Sequence, residues 1–161
     1  MNSKFISDSL KKNMGSKEIK FITIGLSLLI FGVSLTQNAQ IVNYNDKIRI
    51  SSSLDYFLAG GFAFIGGGLF ETIIWLANPL SLFAIKYFLK NDPDAVSLSL
   101  LASGLVISFS FWKEVLGAES GAMAKIISFE LGYYLWLSSI LVLTIGILIN
   151  HRITLKESLQ P

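Results

Sequence analysis

Four long stretches of the chain carry almost no charge, and short charged segments separate them. Water does not reach backbone amides inside a bilayer, so a chain that crosses one forms helices or a closed barrel. A helical crossing requires about 20 mostly apolar residues, and these stretches lack the alternation of barrel strands. We therefore predict an all-α membrane protein with four transmembrane helices. The predicted spans are 21–36, 56–77, 95–112 and 131–149.

Composition excludes several other classes of protein. Of 161 residues, 15% are charged, against about 25% in a soluble domain. The absence of cysteine excludes a disulfide scaffold, a thiol nucleophile and a cysteine metal site. A net charge of +2 is too small to indicate a nucleic-acid partner. We expect one domain, residues 1–161, with the lipid bilayer as its main partner.

Basic residues are distributed unevenly between the two sides of the predicted bundle. Short cytoplasmic loops carry an excess of lysine and arginine. Nine lie on the side of the two termini and four on the other, which predicts a bacterial cytoplasmic (inner) membrane protein with both termini in the cytoplasm. The nine are Lys4, Lys11, Lys12, Lys17, Lys20, Lys86, Lys90, Arg152 and Lys156, and the four are Lys47, Arg49, Lys113 and Lys125.

The first span is short and has two interpretations. As an uncleaved helix, it is lengthened if Lys20 extends outward to the headgroups. As a secretory signal peptide, it combines a lysine-rich start with an apolar run from Ile22 to Leu35. The first interpretation is favoured because the charged start is long and no clean pair of small residues ends the run. The orientation of the other spans is the same in both.

The first outer connection has the pattern of a small hairpin. Two β-prone pieces, Gln40–Tyr44 and Lys47–Ile50, flank the turn-forming pair Asn45-Asp46. A polar loop is the alternative, since an isolated two-stranded hairpin is marginal in water. We expect the hairpin to pack against other outer segments. In the second outer connection, residues 122–130 are expected to form one or two helical turns that run into span four.

Proline is expected to end the second span. It disfavours helical geometry in the residue before it, so Asn78-Pro79 predicts a helix end by Asn78 and a new helix after it. The apolar segment Leu80–Leu89 that follows is too short to cross a bilayer. We predict that it forms an interfacial helix on the cytoplasmic side. The alternative is that it tilts inward against the bundle, which agrees with its lack of a properly polar face.

Small residues recur at helical spacing in the second and fourth spans. Helices in a bilayer associate through close packing of small residues, because lipid tails are as apolar as leucine. Two such sets are expected to pack against neighbouring helices. Five glycines in the second span also indicate a very close approach of another helix, or a bend. The sets are Ala59, Ala63 and Gly67, and Gly132, Ser139 and Gly146.

Glu71 is the one charged residue of the predicted second span. An ionised carboxylate inside a bilayer costs about 2.5–3.5 kcal/mol on insertion scales, so it usually faces the bundle and has a partner. Ser99 and Ser103 of span three lie at comparable depth in an antiparallel arrangement and are the expected partners. Glu71 is then a proton-accepting or cation-binding group. The alternatives are a structural hydrogen bond or a solvated glutamate near the surface.

The sequence contains no recognisable enzyme motif. His151 is the only histidine and follows the fourth span, where a solvated or helix-end role is usual. It forms no metal site without another histidine or a cysteine, and the serines lack a positioned base. We expect no catalytic residues, no metal and no cofactor.

Two short motifs resemble a pattern in small bacterial membrane proteins of four helices. The motifs are Trp75-Leu76-Ala77-Asn78-Pro79 and Gly132-Tyr133-Tyr134-Leu135-Trp136-Leu137. The resemblance covers roughly residues 56–149 and implies an integral membrane fold without implying an activity. Four helices with a strand-bearing first outer loop are also similar in outline to claudin-like proteins, on topology alone.

These observations lead to two hypotheses about function. The first is a non-enzymatic multi-pass membrane protein that packs with itself or with a larger membrane complex through its small-residue faces. The alternative is a small transporter or channel component that uses Glu71.

Overall fold

The computed structural model describes residues 16–118 and 121–158. Helices and a small antiparallel sheet make up this part of the chain. The helices are α1 (Ser16–Leu35), α2 (Ser53–Ala59), α3 (Leu69–Trp75), α4 (Ala77–Leu89), α5 (Asp94–Phe109) and α6 (Leu131–Ser158), with a 3-10 helix (Gly60–Gly66) directly after α2. The strands are β1 (Asn38–Tyr44), β2 (Lys47–Ser52), β3 (Glu114–Leu116) and β4 (Met123–Phe129).

Three helical segments of the described chain are long and apolar enough to cross a bilayer. They are Lys17–Leu35, Leu69–Leu89 and Leu131–Leu155. The apolar segments Ser53–Gly66 and Asp94–Phe109 are shorter. The prediction of a mostly helical chain with apolar candidate spans and a small β element is therefore confirmed.

The second predicted span differs from the structure. Residues 56–77 do not form one helix, because the chain turns at Gly67, whose φ of +93° is in the left-handed region. Glycine adopts this conformation without the steric cost that other residues incur. The chain enters the turn through α2 and the 3-10 helix, and it leaves through α3. The sequence predicts a close approach of another helix or a bend for this glycine-rich region, and the turn at Gly67 is a bend.

The helix boundary predicted by Asn78 is present, since α3 ends at Trp75 and α4 begins at Ala77, but the chain keeps a helical path through it. Leu76, between α3 and α4, has helical backbone angles, and the Leu80 N–H donates to its carbonyl at 3.0 Å. Pro79 is the third residue of α4, in the first turn, where backbone N–H groups have no partner within their own helix. Proline is tolerated there, and the apolar segment continues to Leu89. Residues 80–89, predicted as an interfacial helix, are thus the second half of a candidate span.

The four strands form one antiparallel sheet in the order β2-β1-β4-β3. The predicted hairpin is confirmed, with Tyr44 paired to Lys47 across a two-residue turn. Asn45 and Asp46 have φ values of 51° and 59°. Positive φ at both central residues is what a type I′ hairpin requires. The hairpin was expected to pack against another segment, and that segment is β4, which pairs with β1.

The expectation of helical turns within residues 122–130 is wrong, since 123–129 form β4. Ala124 is buried, whereas its neighbours Met123 and Lys125 are exposed. This alternation has the period of a strand with one buried face. Ala124 and Val115 join Val42 of β1 in a small cluster under the sheet.

α1 packs along α6 through small and hydroxyl-bearing residues. A Cβ atom at Gly146 would lie 2.2 Å from Cγ2 of Thr23, so only glycine permits this approach. Seven residues earlier in α6, the Ser139 carbonyl accepts a hydrogen bond from Ser27 Oγ at 2.9 Å. A further seven residues back, Gly132 lies against the start of β1. The three spaced positions therefore line the contact with α1 and β1.

Alanines bring α4 and α5 close to α6. Two clusters of buried apolar side chains fill the bundle, one towards each end, and alanines of α4 and α5 occur in both. Short side chains let helix backbones approach closely. The clusters are Ala84, Phe88, Ala95, Leu143 and Ile147, and Ala77, Ala102, Val106 and Ile140.

The bundle has two distinct ends. The sheet lies where α1 and α5 end and α6 begins, whereas the opposite end holds the α4–α5 turn and the described chain ends. Lys20, expected to extend outward, is instead buried at that opposite end, where its ammonium donates to Asn91. Three lysines that contribute to the predicted orientation lie outside the described residues, namely Lys4, Lys11 and Lys12.

Gly146→Ala is expected to lower the free energy of unfolding by about 1–3 kcal/mol, because the added methyl group overlaps Thr23. Gly104→Ala in α5 is the matched control, since nothing lies within 4 Å of a Cβ atom there. Alanine also favours a helix by about 1 kcal/mol over glycine. Thermal unfolding in mild detergent measures both. Equal stability of the two variants would contradict the packing described for α1 and α6.

Candidate functional site

A cavity of about 370 Å³ lies between the sheet and the end of the helical bundle. Its walls come from the end of α1, the start of α6, the segment 53–66, α3, β1 and β3, with single residues from α4 and α5. Sites for small molecules typically have volumes of about 300–1,000 Å³, so this cavity is the candidate site. Its aromatic lining includes Phe31, Tyr56, Phe57, Trp75, Tyr133 and Trp136.

The indole of Trp75 forms one wall of the cavity and packs on two glycines. A Cβ atom at Gly60 would lie 2.6 Å from the indole Cδ1, and one at Gly61 would lie 3.2 Å from Cη2. The indole Nε1 donates to the Phe57 carbonyl at 2.8 Å. The close approach expected at these glycines is therefore that of a tryptophan side chain from α3.

The residues Ala59, Ala63 and Gly67 do not form a stripe along one helix. Ala59 and Ala63 line the cavity, whereas Gly67 lies in the turn that follows the 3-10 helix. The Ala63 carbonyl accepts from the Gly68 N–H at 2.9 Å and closes this turn. The expectation that the three residues pack together against another helix is corrected, because the helix that would align them ends before Gly67.

Glu71 lines the cavity at the sheet end of the bundle. It lies in the first turn of α3, and its Oε1 accepts a hydrogen bond from the Leu116 N–H of β3 at 2.8 Å. Glu71 lies six residues before the end of the predicted span 56–77, whereas the candidate span Leu69–Leu89 places it two residues after the start. Of the alternatives that the sequence left open, the structural hydrogen bond is the one observed.

Ser99 and Ser103 are buried in the bundle but are not partners of Glu71. The Ser103 hydroxyl is hydrogen-bonded to the Thr144 hydroxyl at 2.8 Å, and the Ser99 hydroxyl donates to the Val96 carbonyl at 3.0 Å. Thr144 also donates to the Ser99 carbonyl at 3.1 Å. These serines therefore join α5 to α6, and their hydroxyls are satisfied without a carboxylate.

A buried polar group that the sequence analysis missed lies beside the cavity. Gln40 of β1 is 1% exposed, and its Nε2 donates to the Tyr56 hydroxyl. Its Oε1 has no hydrogen-bond partner among the described residues, and neither has Oγ of Ser53, a residue that is 8% exposed. Burial raises the pKa of the Tyr56 hydroxyl above its ordinary value. The phenol is therefore neutral near pH 7.

The period of two along β1 could have located Gln40. Side chains two apart in a strand point to the same face, and Val42 is an obvious buried residue of the predicted hairpin. Gln40 shares the face of Val42, and both are buried. The predicted strand therefore already contained the signal, although nothing in the sequence places Ser53 or Tyr56 beside it.

Asn78 joins the two motifs that carry the sequence resemblance. Its Oδ1 accepts from Trp136 Nε1 at 2.9 Å, and its Nδ2 donates to the Trp75 carbonyl at 3.0 Å. The hydroxyl of Tyr133, from the second motif, donates to the Val106 carbonyl at 2.9 Å. The Asn78 side chain thus connects the two tryptophans that line the cavity.

Neither the arrangement of possible metal-binding groups nor comparison with known proteins assigns a ligand to this site. Within residues 16–118 and 121–158, no three histidine, cysteine, aspartate or glutamate side chains are grouped to hold a metal ion. His151 lies in the part of α6 remote from the cavity. No protein-family model, curated protein or solved structure matches the chain.

Glu71→Ala removes the acceptor of the Leu116 N–H and is expected to speed amide exchange in β3 about tenfold. A hydrogen bond to a charged group contributes about 1.5–3 kcal/mol, and about 1.4 kcal/mol corresponds to a factor of ten. Glu71→Gln retains a side-chain carbonyl and should change the rate much less. Hydrogen exchange with mass spectrometry measures β3 directly. Glu114→Ala, at an exposed residue of the same strand, is the control, and equal rates in all variants would contradict the assignment.

Proposed function

We propose that the chain is a four-span protein of the bacterial cytoplasmic membrane, with its sheet outside. Three candidate spans support this, and α5 supplies the fourth crossing, with a length of about 24 Å at 1.5 Å per residue. α5 runs antiparallel to α6, as the pairs Val106–Tyr133 and Ser99–Thr144 indicate. The exposed Phe111 and the adjacent Trp112 extend this crossing into the outer interface.

Both termini are then cytoplasmic. The described chain starts and ends at the face opposite the sheet, as an even number of crossings requires. The distribution of basic residues, nine against four over the whole sequence, supports the same orientation.

The function that we propose is association with a second copy of the chain through β2, without catalysis. β2 is an edge strand of the sheet, and edge strands present unpaired backbone groups to other chains. Ile48 and Ile50 of β2 are 70% and 62% exposed. This pair of exposed isoleucines on an edge strand, outside the candidate spans, is the observation on which the proposal rests.

The sequence of β2 suits antiparallel pairing with itself. If Ile50 lies opposite Ile50 of the second copy, Arg49 lies opposite Ser51, and Ile48 lies opposite Ser52. Apolar side chains then meet at the centre, and no like charges are directly opposed, which favours the pairing. The sequence predicts association with another chain through the small-residue face of α6, but α1 already covers that face. We therefore propose β2 as the surface that associates with a second copy.

A single cysteine at Ile50 tests both the topology and the association, because the native chain has no cysteine. We expect Ile50→Cys to react with a membrane-impermeant maleimide in intact cells and to form a disulfide-linked dimer on mild oxidation. His151→Cys, at the opposite end, should react only after permeabilisation. Leu100→Cys, exposed on α5, controls for random collisions. A disulfide-linked product whose mass differs from that of a dimer would show that the partner is another protein and not a second copy. If Ile50→Cys does not react with the maleimide in intact cells, the proposed topology is excluded.

A transporter or channel component that uses Glu71 is the second candidate. The observation that favours it is that Glu71 is the one charged residue among the described residues that line the cavity. Glu71→Gln retains a hydrogen bond but removes the ionisable group. Proton- or cation-dependent flux in vesicles should be lost in this variant if the candidate is correct, and it should be unchanged if Glu71 only holds β3.

A further inference from the structure

We propose that the cavity between the sheet and the bundle binds an amphipathic molecule with a primary ammonium headgroup and an apolar chain. This site is separate from the β2 edge, so its test is independent of the proposed association.

Unused hydrogen-bond acceptors in the cavity wall indicate what the headgroup must do. Gln40 Oε1 and Ser53 Oγ are buried and have no partner among the described residues. Gln40 Nε2 donates to the Tyr56 hydroxyl, which leaves Oε1 as the amide atom without a partner among the described residues. Buried polar atoms normally have partners. A ligand that supplies N–H donors satisfies them.

The other polar groups of the wall are already engaged within the protein. The Trp75 indole donates to Phe57, and the Trp136 indole donates to Asn78. The Ser34 hydroxyl donates to the carbonyl of Phe31. What remains is Gln40 Oε1, which can only accept, and the Ser53 hydroxyl, which can accept as well as donate. A headgroup with several N–H donors satisfies both, whereas a carboxylate or phosphate cannot satisfy Gln40 Oε1.

The charge of the wall selects a cation. Glu71 lines the cavity, and no lysine or arginine of residues 16–118 and 121–158 does. One carboxylate oxygen accepts from Leu116, and the carboxylate as a whole retains its attraction for a positive charge. The faces of Trp75 and Trp136 add a favourable surface for an ammonium group. An anionic headgroup would meet Glu71 without a compensating cation.

The apolar part of the wall suits a hydrocarbon chain. Phe31, Phe57 and Phe109 line the cavity with the two indoles, and apolar surface removed from water favours binding in proportion to its area. The cavity lies beside the ends of α1 and α6, at the depth of the outer headgroups in the proposed topology. The ammonium headgroup can come from an aminophospholipid or from a free alkylamine.

Tryptophan fluorescence provides a direct test. Trp75 and Trp136 line the cavity, and Trp112→Phe removes the third tryptophan of the chain. Full-length Trp112→Phe protein in phosphatidylcholine nanodiscs is titrated with decylammonium, decanol and decanoate, which share one chain length. We expect a saturable change with decylammonium at about tenfold lower concentration than with decanol, and none with decanoate. A tenfold preference corresponds to about 1.4 kcal/mol.

Variants separate the cavity from partition into the lipid. Glu71→Gln should abolish the preference for decylammonium over decanol, and Gln40→Leu should weaken binding of both. Glu114→Gln is the matched control, because it removes the same charge from an exposed residue outside the cavity lining. Ala59→Phe should block binding by filling the cavity, with Leu100→Phe on exposed α5 as its control.

Two results would overturn the proposal. Equal responses to the three probes in the Trp112→Phe protein would show partition into the bilayer only. An effect of Glu114→Gln as large as that of Glu71→Gln would show general surface electrostatics. A second arm with phosphatidylethanolamine nanodiscs identifies the source of the ligand: weaker decylammonium binding there assigns an aminophospholipid, and unchanged binding assigns a free amine.

Discussion

The close contact between α1 and α6 determines the arrangement of the sheet end of the molecule. Gly146 and Ser139 allow α1 to approach through Thr23 and Ser27. β1 begins three residues after α1 ends, and β4 ends two residues before α6 begins. Once the two helices lie side by side, their attached strands are adjacent and antiparallel, as β1 and β4 are. The sheet and the cavity under it therefore follow from the packing of two helices.

Local sequence signals predicted the parts of the fold that local chemistry determines. Asn45-Asp46 marks the hairpin because both residues tolerate positive φ better than most. The seven-residue spacing in α6 marks its contact face, since such spacing keeps residues on one side of a helix. By contrast, the strand character of 123–129 depends on β1, which is distant in sequence and supplies its hydrogen bonds.

The second apolar segment shows why hydropathy alone was insufficient. The length and composition of residues 56–77 meet the requirements of a transmembrane helix, and the glycines in this segment are compatible with either a helix or a turn. The Gly67 turn and the indole of Trp75 on Gly60 decide between these, and both are tertiary features. The same turn places Glu71 at the sheet end, near the start of a candidate span and not in the second half of the predicted one. Its polar partnership was predictable from its chemistry, but the identity of the partner was not.

The helical path through Leu76 and Pro79 has a practical consequence for protein engineering. From the sequence alone, Asn78-Pro79 would be chosen as a loop between two helices and therefore as a site for inserting an epitope or a fluorescent domain. In the folded chain Ala77 is fully enclosed, and Asn78 bridges two indoles. A foreign segment at this point would divide the candidate span Leu69–Leu89 and separate the two indoles that Asn78 connects.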